Sequence, residues 1–172
     1  TAQIGNGGYS IKPKIIVNND PLNFVEAKKN MEEQYLINSN SQLFKDKKNI
    51  KIIQQAMFSS TNEIGGTSYR SRIDNLKYQF AGKTGTAQVK RISKRERELD
   101  LKIDQIPYKN RDHALYVAFG PYKNPRYALS IIVEHGGSGS KAAAPMAKKL
   151  FKLIIDRDKL REKQPNFEEI SI

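Results

Sequence analysis

Apolar residues recur at helical spacing in two stretches of the chain and at strand-like density in three others. In residues 47–60, Ile50, Ile53 and Met57 stand at i, i+3 and i+7 with Ala56 beside them. That pattern predicts a helix with one buried stripe. Farther on, Ala144, Ala147, Leu150, Phe151, Ile154 and Ile155 form a longer stripe and predict a helix over residues 141–161. Ser140 is placed to cap it, and Pro145 is tolerated because it falls near the first turn.

Residues 78–89 read as a strand interrupted by Gly82 and Gly85. Residues 114–120 (ALYVAFG) and 127–134 (YALSIIVE) are rich in aromatic and β-branched side chains. The turn residues between them, Tyr122-Lys123-Asn124-Pro125-Arg126, predict a hairpin. Both strands are apolar on both faces in places, so the hairpin is expected at the centre of a sheet. Strand, long loop, strand, tight turn, strand and long helix together imply an antiparallel sheet backed by the last helix, an α/β (α+β) arrangement.

The remaining segments are polar. Gly5-Asn6-Gly7-Gly8 signals a turn, and a short extended segment follows from Tyr9 to Val17, held to an edge by Pro13. Residues 18–46 read as loop with one weak helix over 25–35. Residues 91–112 read as a polar connection with a short helix around 95–101. Gly65-Gly66-Thr67 and Gly136-Gly137-Ser138-Gly139-Ser140 turn the chain. The expected organisation is an entry segment and variable insertion over 1–46, the main unit over 47–161 and a frayed tail over 162–172.

Composition narrows the partners. The 172 residues hold 30 Lys and Arg against 18 Asp and Glu, a formal charge of +12. Such a balance favours anionic partners: nucleic acid, an anionic membrane face or an acidic polymer. Yet acids interleave the basic runs at 90–97 and 148–163, and aromatics do not alternate with them as in a single-strand-binding groove. With no cysteine, disulfides and thiolate metal sites are excluded. No apolar run reaches the roughly 18 residues a membrane span needs. Thr1-Ala2-Gln3-Ile4-Gly5 carries no basic region followed by an apolar run, so no targeting segment is expected within this chain.

Lys83-Thr84-Gly85-Thr86 is the tetrapeptide with the most chemistry. It lies on an expected strand, where glycine permits close approach of a ligand backbone and lysine offers a fixed cation beside two hydroxyls. That combination suits an extended peptide bearing a carboxylate. Two other matches compete for attention. Ser138-Gly139-Ser140-Lys141 fits Ser-x-x-Lys, and Ser60-Thr61-Asn62 fits Ser-x-Asn. A nucleophilic Ser-x-x-Lys belongs at the start of a buried helix, with the lysine one turn on to take the proton. Ser138 instead sits in a glycine-rich turn and Ser60 ends a helix, so neither is read as catalytic. His113 and His135, flanked by Asp112 and Glu134, lie near the ends of paired strands, but their spacing is no known metal-ligand pattern. Hydrogen bonding is the role expected of them. Asp112 is expected to pin the long loop, and Arg111 and Arg126 to pair with Glu134 or Asp112. The run Lys90 to Arg97 reads as a solvated loop.

Lys-Thr-Gly is the third motif of penicillin-binding proteins and serine β-lactamases, after Ser-x-x-Lys and Ser-x-Asn. Five blocks extend the likeness: Gly66-Thr67; Ala81 through Val89 (AGKTGTAQV); Asp112 through Tyr122 (DHALYVAFGPY) with Asn124-Pro125-Arg126-Tyr127-Ala128; Val133 through Ser140; and Ala142-Ala143-Ala144-Pro145. In that order and spacing the chain resembles the C-terminal third of the transpeptidase domain in the penicillin-binding protein 2 family, the class B elongation transpeptidases. The likeness covers residues 50–155 well; residues 1–17 resemble the segment entering it, and 18–46 match nothing.

The resemblance implies part of the serine penicillin-recognising fold. The motif strand and the 114–120 and 127–134 strands would be consecutive neighbours. In the family, two N-terminal strands complete the sheet beside the third strand, and a helical subdomain brings the nucleophile; both are expected to be missing here. For the parent protein the resemblance implies peptidoglycan D,D-transpeptidation, in the serine-type class that includes D-alanyl-D-alanine carboxypeptidases. The residue matching Lys83 would hold the Ser-x-Asn serine and the substrate by charge. The hydroxyls matching Thr84 and Thr86 would bind the terminal carboxylate of D-alanyl-D-alanine or a β-lactam, with Gly85 between them. The Thr86 N–H would supply half of an oxyanion hole. No cofactor and no metal are implied. The partners implied are the peptidoglycan stem peptide, β-lactams and, for the parent, a membrane-embedded cell-wall glycosyltransferase, with no nucleic acid. The parent would be anchored in the bacterial inner membrane with this domain in the periplasm. The chain alone is expected not to acylate, and to self-associate through the uncovered edge of the 127–134 strand. The alternatives left by the residues alone are a basic nucleic-acid-binding module and a non-catalytic interaction domain.

Overall fold

The computed structural model describes residues 1–10, 46–91 and 101–162, leaving aside the side chains of 158–162. Most of the extended segment after Tyr9, the weak helix over 25–35, most of the short helix around 95–101 and nearly all of the tail lie outside the described residues.

Three antiparallel strands form one sheet in the order β1-β2-β3: β1 Ala81–Ala87, β2 His113–Gly120 and β3 Tyr127–Val133. The register runs without a bulge, with Thr84 opposite Tyr116 and Tyr116 opposite Ile131. A short helix, α1 (Ala2–Gly5), and a longer one, α2 (Lys47–Asn62), precede the sheet, and α3 (Ala144–Glu162) follows it.

α2 starts at Asp46, whose Oδ1 accepts a hydrogen bond from the Lys48 N–H at 2.8 Å. Its inward face is Ile50, Gln54, Met57 and Thr61, at i, i+4, i+7 and i+11. The expected stripe was one step off: Ile53 is 38% exposed, and Ala56 is exposed too. A polar residue occupies the inward step because the Gln54 side-chain amide donates to the Ile4 carbonyl at 2.6 Å, tying α2 to α1.

Strand alternation divides the core. Ala114, Tyr116 and Ala118 of β2 face α3 and pack with Ile73, Phe80, Ala143, Ala144, Ala147, Phe151 and Ile155. Phe80 and Phe151 stack with centroids 4.8 Å apart. On the opposite face Phe119 joins Ala81 and Met57, with Ile4 and Val117 against them. Of the two hairpin strands, only β2 is central. β3 alternates half-buried and exposed residues, Ile132 is 63% exposed, and among the described residues β3 has a neighbouring strand on one side only.

The last helix also differs from the expectation over 141–161. Gly139–Ala143 forms a wide π-type turn, and α3 proper begins at Ala144. Ser140 is no cap; its hydroxyl bonds that of Ser138 at 3.0 Å. The turn lies on the sheet itself. A Cβ on Gly139 would fall 2.4 Å from the Leu115 carbonyl oxygen and 2.7 Å from that of Gly85. Ala144, Ala147, Phe151 and Ile155 are buried as expected, while Leu150 is 40% exposed.

Candidate functional site

β1 pairs with β2 along one side, and α2 meets its other edge only at the first residues. Phe80, just before the strand, accepts a hydrogen bond on its carbonyl from Asn62 Nδ2 at 2.9 Å. The Gly82 N–H donates to Thr61 Oγ1 at 3.1 Å. The backbone of Gly82 therefore faces away from β2. Alternate residues of a strand present their backbone groups to the same side, so Thr84 and Thr86 also direct their N–H and C=O groups to this outer edge. The Thr86 N–H is thus directed away from β2, to the open part of that edge.

The side chains of Lys83 and Thr84 meet at that edge. Lys83 is exposed, and its Nζ donates to the Thr84 carbonyl at 2.9 Å and to Thr84 Oγ1 at 3.4 Å. Thr84 Oγ1 donates in turn to Thr67 Oγ1 at 3.2 Å, and Thr67 Oγ1 lies 3.1 Å from Ser60 Oγ. Thr86 is exposed, two residues on from Thr84 and on the same face. The lysine and the first threonine are thus directly bonded. Gly85 serves the chain's own packing: a Cβ there would come 3.3 Å from that of Leu115, and the Gly139 turn approaches from the other face.

Beneath the edge lies a buried hydroxyl cluster that the sequence reading missed. The Tyr116 side chain is fully buried; its hydroxyl lies 2.9 Å from Thr61 Oγ1 and 3.2 Å from Ser68 Oγ. Burial pushes its ionisation above the usual tyrosine range, against the smaller lowering effect of its bonds to Ser68 and Thr61. Gly82 makes the arrangement possible, because a Cβ at that residue would sit 2.3 Å from the phenolic oxygen. The available signal was Thr61 itself, four residues after Met57 on the inward face of α2.

The other singled-out residues have structural roles. Ser60, Thr61 and Asn62 all bond across to β1 or the segments before it. Ser138 is the residue just before the wide turn, at the start of the helical segment that leads into α3, with its hydroxyl bonded to that of Ser140. His113 Nδ1 accepts from the His135 N–H at 3.0 Å, while His135 Nδ1 lies 3.0 Å from the Arg111 carbonyl. Those partners place the proton of His113 on Nε2 and that of His135 on Nδ1. Among the described residues no cluster of three His, Asp or Glu is placed to hold a metal. Asp112, expected to pin the long loop, joins the two ends of it: its Oδ1 accepts from the Val89 N–H at 3.2 Å. Arg111 departs from the pairing expected of it and donates to the Ile106 carbonyl at 2.9 Å. Of the basic run, only Lys90 and Arg91 are described, and both are exposed.

Residues 1–152 match the family model described as the penicillin binding protein transpeptidase domain. The chain belongs to this family. Peptidoglycan D,D-transpeptidase MrdA of Salmonella typhimurium is 38% identical over 105 residues, which is 61% of this chain and 16% of that protein. The protein of the same name from Acinetobacter baumannii is 42% identical over 72 residues, 40% of this chain and 10% of its own length. The chain therefore spans a small part of the curated relatives it matches. Among solved structures, Pseudomonas aeruginosa PBP2 in complex with WCK 5153 aligns over 90% of this chain and 28% of its own, with TM-score 0.57 and 27% identity. PBP2 in a complex with MreC from Helicobacter pylori aligns over 66% of this chain and 18% of its own, with TM-score 0.53 and 31% identity. The transpeptidase-domain family and the expected fold are thereby established: the sheet and its helices are the penicillin-binding protein arrangement. Among the described residues no helix is long and apolar enough to cross a membrane.

Proposed function

We propose that this chain carries the carboxylate-gripping edge of a peptidoglycan D,D-transpeptidase, and that Lys83, Thr84, Gly85 and Thr86 form its substrate-binding strand. The observation that carries the reading is the open outer edge of β1, with an exposed ammonium bonded to Thr84 and the Thr86 amide aimed outward. An extended stem peptide can add to such an edge by main-chain hydrogen bonds while its acidic end meets the cation. The Thr86 N–H then stabilises charge developing on the attacked carbonyl oxygen. We place the attacking serine in the rest of the transpeptidase domain, because the Ser-x-x-Lys match at Ser138 follows Lys83-Thr84-Gly85 in the chain, the reverse of the family's motif order. β-Lactams present the same carboxylate and carbonyl and are bound in the same way. The relatives' names and the PBP2 structures support this reading, and a parent anchored in the inner membrane with this domain in the periplasm is consistent with it. A membrane-embedded glycosyltransferase is the partner we propose for that parent. The test is a fluorescent penicillin. The polypeptide joining this chain to the rest of the domain is expected to form a covalent adduct, and residues 1–172 alone to form none. An adduct on this chain alone, or none on the longer polypeptide, would overturn the reading.

A further inference from the structure

Three consecutive side chains at the end of α2 occupy the outer edge of the motif strand in steps of two residues. Asn62 donates to the Phe80 carbonyl at 2.9 Å. Thr61 accepts from the Gly82 N–H at 3.1 Å and lies 3.4 Å from the Gly82 carbonyl. Ser60 reaches Thr84 through Thr67, at 3.1 and 3.2 Å. The Phe80 carbonyl and the Gly82 amide are groups that a paired β-strand would satisfy on its neighbour, whereas the contact to Thr84 is made at its side-chain hydroxyl. The end of α2 thus stands in for a strand through Gly82 and passes the edge to a hydroxyl bridge at Thr84. Thr61 is fully buried and held from behind by Tyr116 and Ser68, so its oxygen is fixed where the Gly82 amide needs it.

We propose that Ser60-Thr61-Asn62 is a register clamp on β1, with Thr61 as its central positioning residue. The clamp closes the edge up to Gly82, so an incoming extended peptide can pair only from Thr84 onward. A peptide running past that point would collide with the end of α2. The site therefore accepts a chain terminus rather than an internal segment, and brings its carboxylate to rest beside Lys83. This proposal rests on the transpeptidase reading above and adds the device that selects the peptide's end.

The test compares Thr61→Val, which keeps shape and removes the hydroxyl, with Thr61→Ser, which keeps the hydroxyl. Both are made in the polypeptide joining this chain to the rest of the domain. Amide hydrogen exchange at Gly82 and the second-order rate of acylation by fluorescent penicillin are read on each. In Thr61→Val, Gly82 exchange is expected to quicken and acylation to slow, each by about tenfold, and Thr61→Ser to restore both. A purely structural Thr61 would lower the melting temperature and leave the acylation rate of the folded protein unchanged; that result overturns the proposal. A wild-type polypeptide that takes no penicillin overturns the transpeptidase reading itself, a failure visible before any variant is made.

Discussion

The hydroxyl of Tyr116 lies 2.9 Å from Oγ1 of Thr61, joining the central strand to the end of α2 directly beneath the start of the motif strand. Neither residue touches solvent. Through this bond the core decides where Gly82, and with it Lys83, is held.

Replacing Tyr116 by Phe keeps the ring and removes the bond. Loss of one buried hydrogen bond, with Thr61 and Ser68 left to satisfy each other, is expected to cost about 1 kcal/mol. Urea unfolding of the two proteins measures it, with a shifted midpoint and an unchanged slope as the outcome.

The same hydroxyl gives a pH dependence. Its ionisation is raised in the folded protein, chiefly by burial, above the ordinary value of 10.0. The folded state therefore holds a proton that the unfolded state gives up. The resulting stability is fully present below the ordinary value and is lost as pH rises from there through the raised folded one. Unfolding curves on the alkaline side are expected to weaken more steeply for wild type than for Tyr116→Phe. Equal slopes would contradict the buried position of this group.

Gly82→Ala places a methyl 2.3 Å from the phenolic oxygen. Tyr116 is anchored on both sides and has no room to withdraw, so overpacking of about 1–3 kcal/mol is expected. Combining the variant with Tyr116→Phe is expected to recover only a small part of the loss, because the hydroxyl oxygen is gone while two ring carbons still lie 2.5 and 2.7 Å from the new methyl. Thermal melts of the single and double variants decide this.

Lys83→Met removes an exposed charge whose contacts are confined to the edge of β1. Stability is expected to change by less than about 0.5 kcal/mol. Penicillin acylation of the longer polypeptide is expected to fall by about a hundredfold, the scale of losing one stabilising group from such a site. Thr86→Val is expected to leave the edge amide in place and to weaken acylation less. A Lys83→Met protein that acylates normally would remove the lysine from the site.

Ile132 is 63% exposed on β3, which has a strand on only one side among the described residues. An apolar strand edge of this kind recruits other chains. The isolated chain is expected to gain mass with concentration in light scattering, and Ile132→Lys to suppress the gain. A monomer at every concentration would argue against association through this edge.

The three strands and the long last helix were legible in the sequence, because β-branched and aromatic runs and an apolar stripe report burial directly. The tetrapeptide was legible too, since lysine and two threonines around a glycine form a pattern of chemistry and not of packing. Less was visible where a polar residue faces inward. Gln54 and Thr61 are on the buried face of α2 because carbonyls and amides of other elements await them there, and apolar periodicity cannot register such a partner.

Sequence by itself determined which residues form strands, which side of the last helix is buried, and which tetrapeptide holds a cation beside two hydroxyls. All three follow from local pattern. Only the tertiary structure decided that the Ser-Thr-Asn triplet covers the start of one edge of that strand, that Tyr116 supports it from beneath, and that Gly139 lies on the sheet between two carbonyls. These relationships join residues distant along the chain, through hydrogen bonds and close approaches that exist only once the backbone has brought their elements together.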